Sequence, residues 1–165
     1  MGKKTVYYGI FTALALLMGY VESLVPVPFP VPGIKLGLTN AVIVTAMYFF
    51  GEKEAFFISL IRVMLSGILF AGFGGFLYSF AGALTSFFVM AVFKKLNIFG
   101  ITGISVLGGV SHNAAQIAVA SVVVNNVRLF YYLPPLMVSG VVTGVVIGTV
   151  SKTALKHLKN ANIKI

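Results

Sequence analysis

Six long apolar runs, parted by short polar or glycine-rich breaks, organise the chain. They fall at about 5–24, 36–50, 54–71, 76–93, 100–124 and 133–155. A helix that crosses ~30 Å of hydrocarbon needs roughly 20 residues, so each run reads as a spanning helix. The second is short by that measure; it tilts little, begins in the preceding loop, or lies where the bilayer thins. Gly51-Glu52-Lys53-Glu54 predicts a polar turn, Gly72-Phe73-Gly74-Gly75 a tight one and Lys94-Lys95-Leu96-Asn97 a basic one. Asn125-Asn126-Val127-Arg128 closes the fifth run, and Pro134-Pro135 can open the sixth inside its first turn. The expected fold is an all-α membrane protein, a six-transmembrane-helix bundle, with residues 1–165 as a single integral membrane domain.

Composition strengthens this reading. Of 165 residues, 59% are hydrophobic and only 9% charged, whereas a soluble domain carries about 25% charged residues. Charge placement then sets the topology. With the N-terminus inside, Lys3, Lys4, Lys53, Lys94, Lys95, Lys152, Lys156, Lys159 and Lys164 share one side, against Lys35 and Arg128 on the other. That asymmetry follows the positive-inside rule and puts both termini in the cytoplasm. The net charge of +9 is scattered in small groups between apolar runs, not gathered into the basic stripe that nucleic acid needs, so no nucleic-acid partner is expected. The first run follows Lys3-Lys4 but ends without a small-residue cleavage site, so it reads as a retained helix. A multi-pass protein of a bacterial-type cytoplasmic membrane, in contact with membrane lipid, is the expected setting.

Small residues supply the packing signals. Gly140, Gly144 and Gly148 recur every four residues along the sixth run, and Gly9/Ala13 and Ala15/Gly19 repeat that interval in the first. Such faces let helices approach closely, either within the bundle or against a separate membrane protein. Between the first two runs, Pro26, Pro28, Pro30 and Pro32 alternate with Val and Phe. Alternating proline excludes helix and favours extended polyproline II. The eleven residues from Val25 to Lys35 would reach ~34 Å in that form, far more than a turn requires. The segment is either a gate over the bundle or a passive packed connector.

Polar groups inside apolar runs are expensive and usually face a protein interior or a water-filled cavity. Arg62 lies mid-way through the third run; Ser111-His112-Asn113 and Gln116 lie mid-way through the fifth. His112 and Gln116, four apart, share a face. Lys35 and Asn40 flank the start of the second run, and Tyr78 and Ser79 lie at the outer end of the fourth. No acid is expected at the depth of Arg62, because Glu22 reads as nearer the outer surface and Glu52 and Glu54 as nearer the inner one. Arg62 is therefore either bonded to helix carbonyls and amides or serves a ligand. The candidate substrate-binding set is Lys35, Asn40, Arg62, Tyr78, Ser79, His112, Asn113 and Gln116, whose mainly cationic and amide character suits a small anionic or polar-aromatic molecule.

Several chemistries drop out by subtraction. The chain has no Cys and no Asp, and its two His are far apart, so a metal ligand set and a thiol nucleophile are absent. Ser111 and His112 are adjacent on a helix, about 100° apart, with no acid to orient the ring, which disfavours a catalytic triad. No Walker-type nucleotide loop occurs. No catalytic residue, cofactor or metal is assigned, and the protein is not expected to be an enzyme.

Four segments, in order, carry a resemblance: Pro32-Gly33-Ile34-Lys35-Leu36-Gly37-Leu38-Thr39-Asn40, Arg62-Val63-Met64-Leu65-Ser66-Gly67, Tyr78-Ser79-Phe80-Ala81-Gly82, and Leu107-Gly108-Gly109-Val110-Ser111-His112-Asn113 with Gln116. Together they resemble the family labelled both Gx transporter and heptaprenyl diphosphate synthase component I, over nearly the whole chain. That family is similar in turn to the six-helix substrate-binding S components of energy-coupling-factor transporters. The resemblance implies capture of a small nutrient from outside, such as a flavin or quinone precursor, and docking on a transmembrane coupling protein with two ATPase subunits. The proline-rich segment would correspond to the gate. Gly9, Ala13, Ala15 and Gly19 would replace the Ala-x-x-x-Ala coupling motif of S components, a departure from their pattern. The synthase label implies another partner, a prenyltransferase subunit. Prenyl diphosphate synthases bind magnesium and diphosphate through paired aspartate clusters, and a chain without Asp cannot carry that site. The alternative function is thus a non-catalytic membrane subunit or anchor for such an enzyme or for a redox complex.

Overall fold

The computed structural model describes residues 2–24 and 36–161, and all its regular structure is helical. Six α-helices follow one another: α1 (Gly2–Leu24), α2 (Leu38–Phe49), α3 (Glu52–Ser66), α4 (Gly72–Leu96), α5 (Ile101–Val123) and α6 (Leu133–Asn160). A π-helical turn, Gly67–Ala71, joins α3 to α4, and a 3₁₀ turn, Val127–Tyr132, leads into α6. Lys35 and the four prolines of the expected gate, Pro26, Pro28, Pro30 and Pro32, lie outside the described residues.

Local chemistry accounts for most boundaries. Glu52 and Glu54 occupy the first turn of α3, and Lys94 and Lys95 the last turn of α4, each on the side that the helix dipole favours. Asn97 and Asn125 take left-handed backbone angles just past α4 and α5, a conformation that asparagine tolerates better than most residues. Pro134 and Pro135 fall in the first turn of α6, where no intrahelical donor is lost. One break differs from expectation. Only Gly72, with φ 65°, makes the turn predicted over residues 72–75; Phe73, Gly74 and Gly75 already belong to α4. The chain doubles back there, so that Phe76 Cδ2 stands 2.7 Å from where a Cβ at Gly67 would be, and the reversal falls on Gly72, whose φ is positive.

Four helical stretches are long and apolar enough to cross a membrane: Lys4–Leu24, Gly72–Leu96, Ile101–Val123 and Val127–Asn160. The short second run is explained by its position. α2, at 12 residues, extends about 18 Å and packs against α1, α3, α5 and α6. Val42, Ile43, Val44, Ala46 and Met47 are all buried, so successive residues around the whole helix face protein. A helix apolar on every side belongs in an interior. The other five form an arc around it, each touching the next in the order α1, α3, α4, α5, α6.

The seam between α5 and α6 is built by glycine. A Cβ at Gly144 would sit 2.5 Å from the Val106 Cα, and one at Gly148 2.5 Å from the Thr102 Cα. The glycine repeat of α6 is therefore spent inside the bundle, while Val138, Val142, Val146 and Val150 are exposed. In α1 the two small-residue pairs part company. Ala15 is fully buried and Gly19 lies 3.1 Å (from its would-be Cβ) from Thr39 Oγ1, whereas a Cβ at Gly9 would meet nothing within 4 Å. Ala13 is exposed beside it.

Aromatic rings close the end of the bundle near the N-terminus. Phe11 stacks on Phe49 at 6.3 Å and meets Phe50 edge-on at 4.8 Å, with Tyr8 edge-on to Phe50 at 5.1 Å. Lys94 Nζ donates to the Met47 carbonyl at 2.8 Å and pairs with Glu52 at 3.1 Å. That ammonium caps the carbonyl end of α2, where positive charge is favoured.

Candidate binding cavity

At the opposite end, the bundle opens into a cavity of about 250 Å³ to which all six helices contribute. The C-terminal turns of α1 and α3 and the N-terminal turns of α2 and α4 meet there, over the middles of α5 and α6. Gly37 begins α2 at φ 74°, a left-handed angle that suits glycine. Its N–H donates to Glu22 Oε1, tying α1 to α2 at the cavity wall. A Cβ there would also collide with Ile147 Cδ1, 2.4 Å away, so both backbone angle and space call for glycine.

Five of the eight expected substrate-binding residues line this space: Asn40, Arg62, Ser79, His112 and Asn113. Lys35 lies outside the described residues. Tyr78 and Gln116 do not line the cavity. Tyr78 follows the helical rotation away from its neighbour Ser79, since adjacent residues diverge by about 100°. Gln116 packs with His112 over Gly82 of α4, its Cγ 2.9 Å from where a Cβ at Gly82 would stand. The shared face of His112 and Gln116 is real, but its outer part is a helix contact.

Arg62 is the most exacting group. Its side chain is 8% exposed, and its Nε is buried with no hydrogen-bond partner among the described residues. Leaving such a donor unmade costs roughly 1–3 kcal/mol, more for a charged group. The expectation that no acid lies near it is corrected: Glu22 lines the same cavity and interacts electrostatically with the guanidinium. The correction follows from what the end of α1 meets. The start of α2 packs on its last turn, where the Gly37 N–H donates to Glu22 Oε1, so Glu22 is drawn to the cavity wall and not left at the surface.

Asn113 is committed on one side, its Nδ2 donating to the Leu136 carbonyl of α6 at 2.7 Å. Ser111 donates to the Leu107 carbonyl at 2.7 Å within its own helix and is thus not arranged as a nucleophile on His112. The π turn brings Phe70 to the wall, edge-on to Tyr20 at 5.6 Å, while Ile68 and Leu69 face outward. Single π turns recur at functional sites because the extra residue re-aims side chains. Ser23, Thr39, Ser66 and Thr143 add hydroxyls. Sequence reasoning passed over Ser66, Phe70 and Thr143; the hints available were that Ser66 stands four residues after Arg62 and Thr143 three after Gly140, while the π turn that places Phe70 left no such sign.

The chemical character of the cavity is that of a binding chamber. It offers one guanidinium, one carboxylate, an imidazole, two amides and several hydroxyls, with Phe70 and Ile147 as apolar surfaces. Among the described residues no group of three His, Cys, Asp or Glu is placed to hold a metal ion.

The heptaprenyl diphosphate synthase component I family matches residues 11–154. The chain belongs to that family. Every residue lining the cavity falls inside the matched span, so the chamber is part of the component I unit and not an appendage to it. No curated protein and no solved structure matches the chain.

Proposed function

We propose that this component I protein is the substrate-binding subunit of a membrane importer, working as S components of energy-coupling-factor transporters do. Its six helices cross a bacterial-type cytoplasmic membrane with both termini inside, as one integral domain, and the cavity opens outward. It has no enzymatic activity of its own. A small anionic or aromatic nutrient, of the flavin or quinone-precursor class, enters the cavity and is handed on by a transmembrane coupling protein with two ATPase subunits. Arg62 and the amide of Asn40 would hold an acidic or carbonyl edge, Phe70 a ring face, and Glu22 a donor.

The observation that supports this most is Arg62 itself, a guanidinium side chain 8% exposed that lines a polar cavity at the end where positive charge is scarce. Charged groups at depth are costly and usually serve a ligand or a paired charge; beside Glu22, an anionic ligand edge would give this guanidinium its second partner. Mass spectrometry of the purified protein under native conditions tests the reading. A co-purifying small molecule, absent from the Arg62→Ala protein, is expected; a bare wild-type chain taken from cells grown in rich medium, and no binding when candidates are added, would reject it.

The family description favours a second reading, a non-catalytic membrane subunit partnering a prenyltransferase. Affinity purification from the native membrane separates the two. A coupling protein with ATPases accompanies an importer subunit; a soluble prenyltransferase accompanies an anchor.

A further inference from the structure

A second concavity, of about 450 Å³, lies at the other end of the bundle, where the last turns of α6 pass the end of α2 and the start of α5. Its floor is apolar, made by Tyr48, Ile101 and Leu155; its rim carries Lys152, Lys156 and Lys159. These lysines stand at i, i+4 and i+7 on α6, one face of the helix, and span about 10 Å along it. The start of α5 beside them has no side-chain cap, so backbone donors of its first turn add to the positive field.

Among the described residues no acid side chain answers this charge. The three acidic side chains of the sequence are Glu22, Glu52 and Glu54. Glu22 is at the far cavity, Glu52 pairs with Lys94, and Glu54 sits over Gly51 at the start of α3. Three ammonium groups over an apolar floor, at the end of helices that reach the membrane surface, describe a receptor for an amphiphile. Lysine stems lie along apolar surface while their heads reach the interface, and basic recesses between membrane helices are where acidic headgroups lodge.

We propose that this groove binds the anionic headgroup of a phospholipid in the adjacent leaflet, with the start of its acyl chain on Tyr48, Ile101 and Leu155. The apolar floor favours a lipid over a free anion, which would gain nothing from it. The site is separate from the polar cavity and does not depend on what that cavity binds.

The test is lipid retention by the full chain in detergent, measured by native mass spectrometry with phosphatidylglycerol and phosphatidylcholine in equal amounts. Wild type should retain phosphatidylglycerol preferentially, each lysine near the surface contributing about five-fold. Lys152→Gln, Lys156→Gln and Lys159→Gln together should abolish the preference, and the matching Arg variant should keep it. A control that removes equal charge elsewhere (Lys4→Gln, Lys53→Gln, Lys95→Gln) should also keep it. Should the triple Gln protein fail to fold, Lys156→Gln alone should lower the preference several-fold. Equal retention of both lipids, equal loss in the control, displacement by inorganic phosphate, or an unchanged preference in Lys156→Gln would overturn the proposal.

Discussion

Gly109 of α5 and Gly140 of α6 meet backbone to backbone, so that a Cβ on Gly109 would stand 2.6 Å from the Gly140 carbonyl oxygen. Main chain cannot swing aside as a side chain can. Gly140→Ala should therefore push α5 and α6 apart and cost about 1–3 kcal/mol, the usual penalty of overpacking. Gly9→Ala, where a Cβ meets nothing within 4 Å, should stay within roughly 0.5 kcal/mol of wild type. Melting curves in detergent compare them directly; indistinguishable midpoints for the two variants would contradict the packing.

Arg62→Ala should weaken ligand binding by about 10- to 100-fold, the loss of one charged hydrogen bond, with expression in the membrane unchanged. Arg62→Lys should recover only part, because a point ammonium lacks the planar fork that carries Nε. Calorimetric titration reads both, and wild-type affinity in the alanine protein would remove Arg62 from the site.

Asn113 makes the opposite kind of contribution. Its amide donates to the Leu136 carbonyl at 2.7 Å, a bond between two helices and not to a ligand. Asn113→Ala should lower stability by about 1 kcal/mol and change affinity less than Arg62→Ala does. A variant that melts like wild type yet binds poorly would show that Asn113 acts on the ligand instead.

How far the site was legible in the chain depends on the residue type. Arg62, His112 and Asn113 announce themselves because such groups have no cheap place in an apolar run. Ser66 and Thr143 do not, because hydroxyls can satisfy themselves on their own helix: Ser66 donates to Val63 and Thr143 to Ser139. Glu22 was misplaced because periodicity says how a helix is faced, not where its end comes to rest. The tie from Gly37 to Glu22 joins residues fifteen apart, which no local pattern encodes. The same limit applies to α2. Its length and uniform apolarity were visible, but only its neighbours show that it fills the middle of an arc.

Gly82 is a clearance for the His112 ring. A Cβ there would lie 2.8 Å from Cε1 and 2.9 Å from Nδ1 of His112, and 2.9 Å from Gln116 Cγ. Both neighbours are side chains with rotamers to spare, so Gly82→Ala should displace the imidazole more than it destabilises the fold. Affinity should fall several-fold while the melting midpoint moves little. The imidazole resonances in a ¹⁵N-histidine-labelled sample report the displacement, and an unmoved ring would argue against it.

Glu22 carries two roles that substitution can separate. Its carboxylate accepts from the Gly37 N–H, and its charge opposes that of Arg62 across the cavity. Glu22→Gln retains a carbonyl oxygen able to accept the same bond but removes the charge. Glu22→Ala removes both. If the tether positions the start of α2, the alanine protein alone should lose about 1 kcal/mol of stability. If the charge tunes the ligand, both variants should bind anionic ligands more tightly than wild type, because Arg62 is no longer offset. A glutamine protein with unchanged preference between an anionic ligand and its neutral amide would confine Glu22 to the tether, and leave Arg62 as the charged group that sets selectivity.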